Sequence, residues 1–178
     1  MKPGDIVIEN RGCAYRVTVV GRANFDYAVP LRELVNRLED YGSFVFDLTK
    51  CVTMDSTFMG VLTMLALKGY QKRNPVELWG SSAEVAKLLK ELGIAKLFVF
   101  KEGAPPPLDG AASCAAAGET GERDQVALAE TVAEAHRKLV EAEPANAPVF
   151  ESVIRYADAD VERLKKTSAF TGELPEFS

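Results

Sequence analysis

The feature that most restricts the fold is a change of hydrophobic period that recurs along the first hundred residues. Short runs with the two-residue period of a strand alternate with stretches that follow the 3.6-residue period of a helix. Residues 6–8 and 15–20 read as strands joined by a turn at Glu9-Asn10-Arg11-Gly12. Over residues 26–41 the spacing predicts a helix, with Leu31, Leu34, Val35 and Leu38 on one stripe and Gly42 at its stop. Residues 44–48 form a compact apolar strand of the kind covered on both faces. A polar loop then leads to a helix over residues 56–72, with Val61, Leu62, Leu65 and Ala66 inward. A strand at 76–79 follows, then a helix at 82–92 stopped by Gly93, and a closing strand at 97–100. The order ββαβαβαβ predicts an α/β fold with a mixed sheet of about five strands. The opening hairpin is antiparallel, and the remainder is parallel with right-handed crossovers.

The pattern stops at Pro105-Pro106-Pro107. Residues 103–123, GAPPPLDGAASCAAAGETGER, read as a flexible linker rich in Pro, Gly and Ala. Residues 1–102 are therefore expected to form one domain and residues 124–178 an acidic helical tail. Within that tail, 124–143 places Val126, Ala129, Val132, Ala133, His136, Leu139 and Val140 at three- and four-residue steps, and Pro144 stops it. Residues 148–166 place Phe150, Val153, Ile154, Ala157, Val161 and Leu164 on a second stripe. A hairpin of two such helices cannot bury both stripes alone. It must dock on the first domain, on another subunit, or on a partner.

Composition narrows the function classes. The 178 residues carry a formal net charge of −5, which argues against nucleic acid as the main ligand. The charge is uneven: residues 1–102 carry 14 Lys+Arg and 12 Asp+Glu, while residues 103–178 carry 7 and 14. The longest apolar runs are too short to cross a bilayer, and no apolar core follows Lys2, so neither membrane insertion nor a secretory leader is expected. Cys13, Cys51 and Cys114 have no metal-ligand spacing and read as free thiols in a reducing cytoplasm. Cys51 has only Lys50 beside it and reads as idle. Trp79 and Phe98 read as core, and His136 as a packed or solvent-facing residue of the tail. No Gly-rich phosphate loop, metal cluster or nucleophile–base pair is visible, so no catalytic residue and no cofactor is expected.

The segment where chemistry could reside is Asp55-Ser56-Thr57-Phe58-Met59-Gly60, where a strand and loop meet a helix. Ser and Asp cap helix N-termini because their oxygens accept unpaired backbone N–H groups. Gly60, one turn in, permits close backbone approach or simple packing. This run, with Asp47-Leu48 before it, Val76-Glu77-Leu78-Trp79-Gly80, and Gly93 followed by Leu97-Phe98, resembles the STAS domain over residues 5–102. STAS domains are the family of sulfate transporters and anti-sigma factor antagonists.

The resemblance implies a regulatory protein-binding module rather than an enzyme. Its partner would be an anti-sigma factor serine kinase, and a phosphatase would reset it. Ser56 matches the family's phosphoacceptor, with Thr57 as second choice. Asp55, Thr57, Phe58, Met59, Gly60 and Asn24 would form the switch and partner surface. The sequence departs from the family's Gly-Glu-Leu-Asp run: here the residues are Gly21-Arg22-Ala23-Asn24. Asn24 can still cap a helix, but it supplies no negative charge near the phosphoacceptor. Two other functions stay open. One is a STAS accessory subunit of an ABC-type lipid transporter. The other is an oligomeric scaffold, a homo-oligomer assembled through the C-terminal helices.

Overall fold

A computed structural model describes residues 4–117 and 124–171 of the chain. Expectations that fall on residues 1–3, 118–123 and 172–178 lie outside the described residues. The sheet has the order β5-β4-β3-β2-β1-β6. Strands β1 (Asp5–Arg11) and β2 (Ala14–Ala23) form the antiparallel hairpin. Its tight turn is Gly12-Cys13, later than the sequence suggested, and Gly12 takes φ +59°, which favours glycine. Strands β3 (Ser43–Met54), β4 (Val76–Trp79) and β5 (Phe98–Lys101) continue in parallel. Helices α1 (Phe25–Arg37), α2 (Ser56–Gln71) and α3 (Ala83–Glu91) are the crossovers. The expected α/β class and mixed sheet are both present.

The parallel strands advance in one direction across the sheet. Right-handed crossovers then put all three helices on the same face. Burial agrees with this one-sided arrangement. Phe44, Phe46 and Leu48 of β3 are buried, whereas Val45 and Asp47 between them are only half-buried. The double coverage expected of residues 44–48 is thus corrected: a single face carries the core. Trp79 shows the same alternation. It lies half-exposed on the outer face, where its indole N–H donates to Glu77 at 2.8 Å, while Phe98 is core as expected.

Three local expectations need correction. Helix α1 ends at Arg37, capped at Leu38, so Gly42 does not stop it. Gly42 instead packs against Cys13, with its N–H bonded to the Cys13 carbonyl at 2.8 Å. The polar loop expected after Leu48 is strand. Residues 50–54 pair with the end of β2 across two register shifts, since Thr and Val accept the extended backbone. The flexible linker is also partly ordered. Residues Ala112–Ala117 form a sixth strand, β6, antiparallel to β1. An edge strand needs only backbone N–H and C=O groups to pair, so weak side-chain patterning does not prevent it.

The C-terminal hairpin is built as expected from α4 (Gln125–Ala142) and α5 (Ala147–Thr171), joined by a 3-10 turn at Pro144–Asn146. It is not a separate lobe. Ala135 and Leu139 of α4 and Phe150 of α5 belong to the same buried cluster as the sheet and α2. Asn146 fastens the turn, donating from Nδ2 to the carbonyls of Leu92 at 2.9 Å and Leu139 at 3.0 Å.

Candidate functional site

The site lies where β2, β3, α1 and α2 converge. At the end of β2 the carbonyl of Ala23 accepts the N–H of Asp55 at 2.9 Å, which holds the start of α2 beside the start of α1. Asn24 caps α1, accepting from Asp26 N–H at 3.1 Å, as its residue type predicts. Asp55 is the N-cap of α2. Its Oδ1 accepts from Phe58 N–H at 2.8 Å, and its Oδ2 accepts from Phe25 N–H at 2.7 Å. One carboxylate therefore serves the positive ends of two helices. Burial pushes its pKa above the ordinary carboxylate value, while the Phe58, Phe25 and Thr57 N–H groups and His136 oppose that rise.

Ser56 is the first residue of α2 rather than its cap, so its hydroxyl is not consumed by the helix's own backbone. The hydroxyl faces α4 and lies 2.9 Å from His136 Nε2. The other ring nitrogen of His136 lies 2.7 Å from the carbonyl of Val132, one turn earlier on α4. A carbonyl only accepts, so Nδ1 carries the proton and Nε2 of the neutral ring accepts from Ser56. His136 is 3% exposed, and burial lowers its pKa below the usual imidazole value, against the raising effects of Val132 and Asp55. The Phe150 ring of α5 closes over it at 4.9 Å between centroids.

Below Ser56 the two helices almost touch. A Cβ placed on Gly60 would lie 2.4 Å from the Ala135 carbonyl oxygen and 2.6 Å from Ala135 Cβ. Such a separation is open to glycine alone. Thr63, one turn further, is fully buried and returns its hydroxyl to the Met59 carbonyl at 2.9 Å. On α4, Ala135 opposite Gly60 is small and fully buried; Thr131, also fully buried, donates to Ala127 O at 2.6 Å. Ion pairs flank the seat. Arg32 of α1 meets Glu134 at 2.5 Å and Glu130 at 4.0 Å, and Lys96 meets Glu143 at 3.5 Å.

The structure thus gathers the sequence-nominated residues in one place but distributes them unequally. Asn24, Asp55 and Ser56 are half-buried at the rim. Thr57, Phe58, Met59 and Gly60 are buried, Phe58 completely. Sequence reasoning missed His136 as a member of the site. Its place on an apolar stripe gave one signal of burial, but nothing in the sequence couples it to a serine 80 residues away. The nucleophile–base arrangement that the sequence did not reveal is formed across the two halves of the chain. Chemically, Ser56 donates to a neutral base at a helix N-terminus. Cys51 takes no part: it is buried, and its thiol is pushed up to about 11. Among the described residues no three His, Cys, Asp or Glu side chains gather where a metal ion could sit, and no helix is long and apolar enough to cross a membrane. No protein-family model matches the chain, and no curated protein matches it.

Proposed function

We propose that this chain is a cytoplasmic regulatory module that binds a protein partner through the start of α2 and is switched by phosphorylation of Ser56. The partner class is that implied by the STAS resemblance: an anti-sigma factor serine kinase, opposed by a phosphatase. The observation that carries this reading is the position of Ser56. It opens α2, its hydroxyl turns away from the helix's own backbone, and the cap is supplied by Asp55 instead. A phosphate there adds about −1.5 to −2 charges and three acceptor oxygens at a helix N-terminus, where the dipole favours negative charge. The α/β body can survive that charge, while the surface at the start of α2 gains negative charge beside Asp55. Thr57 is a poorer acceptor, because it is 6% exposed.

The test is capture of partners from native lysate with Ser56→Ala and Ser56→Asp baits, read by mass spectrometry, together with phosphosite mapping of the untouched protein. Retention of an ATP-binding anti-sigma kinase by the Ala form alone, with phosphate on Ser56, is the expected result. Equal retention of transporter subunits by both forms would replace this reading with that of a transporter accessory subunit.

A further inference from the structure

We infer that the α4–α5 hairpin is an internal competitor for the Ser56 face, and that a phosphate on Ser56 and a docked hairpin exclude one another. This inference rests on the proposed role of Ser56 and adds the regulation of that site.

The exclusion follows from space and charge. The Ser56 oxygen is already in hydrogen-bond contact with His136, so a phosphate on that oxygen, in this side-chain orientation, collides with the imidazole. Helix α4 cannot tilt closer to α2 below Ser56 to make room, because Gly60 and Ala135 already approach too closely for a side chain to fit between them. The phosphate would also face the Asp55 carboxylate, which is fixed by Phe25 and Phe58 N–H groups and cannot swing away without uncapping α2 and leaving Phe25 N–H without its acceptor. A kinase meets the same obstacle from the other direction: the hydroxyl it must reach is held beneath α4. Phosphorylation is then limited by the fraction of molecules in which the hairpin has lifted. Once phosphate is in place, the hairpin cannot return.

The docked hairpin also defines the chemistry of a partner that takes its place. The seat accepts a helix with a small residue opposite Gly60 and a hydrogen-bond acceptor opposite Ser56, as Ala135 and His136 provide. Adjoining it, Arg32 awaits an acidic group in place of Glu134 and Glu130.

Hydrogen exchange of the full chain tests the exclusion without any kinase. Two variants are compared with the parent protein: one with phosphoserine encoded at position 56, and Gly60→Ala. The second places a methyl group against Ala135 while improving the intrinsic helix propensity of α2. Both are expected to lose protection over residues 125–142 at least tenfold, with β2 and β3 keeping theirs. Unchanged protection of α4 in the phosphoserine protein would overturn the inference. So would loss of protection in β2 and β3 together with α4 in Gly60→Ala, since the hairpin would then be part of one cooperative core and not a displaceable cover. Because no partner enters the measurement, its failure leaves the role of Ser56 to the capture experiment. A failed capture with a released hairpin would remove the partner assignment alone.

Discussion

Helix α2 is covered on two sides, and the two covers are made of different materials. By its 3.6-residue period, Phe58, Leu62 and Leu65 share the side away from Gly60, and all three have no exposed surface. That side belongs with large, fully buried side chains such as Phe44, Phe46 and Leu78 of the sheet. The other side carries Ser56, Gly60 and Thr63 and meets Ala135 and His136 of α4. Large apolar groups are each worth about 1.5–3 kcal/mol on burial, whereas small and polar ones contribute through close fit and single hydrogen bonds of about 1 kcal/mol. The difference teaches that the sheet side of α2 rests on large apolar burial, while its α4 side rests on close fit and a hydrogen bond between small and polar groups.

The widest gap between the two sides is expected from truncation on the sheet side. Leu62→Ala should cost about 2–5 kcal/mol of global stability, because it leaves a cavity in a close-packed core. Urea unfolding followed at the single tryptophan measures it; a loss confined to the hairpin would break the distinction between the two sides. Next is the double cap at their junction. Asp55→Ala uncaps α2 and removes the acceptor of Phe25 N–H, with an expected loss of about 1–2 kcal/mol. Asn24→Ala removes one cap only, so its smaller loss in the same titration is the control.

Acidification should sharpen the comparison by acting on the α4 side first. Buried His136 has a folded pKa below its unfolded value. Its contribution is fully present above about pH 6.5 and is lost as pH falls below that, because the undocked ring takes up the proton first. Asp55, whose folded pKa is raised, acts in the opposite sense and at lower pH: the folded form gains protons first as pH approaches the carboxylate range. Exchange protection of α4 should therefore decline between pH 7.5 and 5.5 while β3 holds. A flat profile would mean that His136 remains neutral in the released state as well. The smallest effect is expected from Arg32→Ala, below about 1 kcal/mol and diminished by added salt, since the pairs with Glu134 and Glu130 are partly exposed. Hairpin exchange at low and high salt reads it.

How much was legible follows from what each element uses to hold itself. The ββαβαβαβ order could be read because each strand and helix buries a stripe whose period is local. The stop at Gly93 could be read too: it takes φ +69°, and glycine is the residue that does so freely. Strand β6 was hidden because its pairing is made by backbone groups that no side chain announces. The α4 stripe was only half visible. Leu139 was on it, but Thr131 and Ala135, which like Leu139 have no exposed surface, were not. An interface built from small residues carries little hydrophobic contrast, and the Ser56–His136 bond joins residues whose proximity only the assembled fold creates.

Strand β6 also governs what a lifted hairpin can do. It ends at Ala117, paired to β1, and the cap of α4, Asp124, follows after six residues. Covalent geometry alone limits the distance from Ala117 to Asp124 to about 25 Å. A hairpin that leaves its seat is thus never diluted. It remains at an effective concentration on the order of millimolar beside the surface it vacated, and a free partner must bind well below that threshold to keep it out.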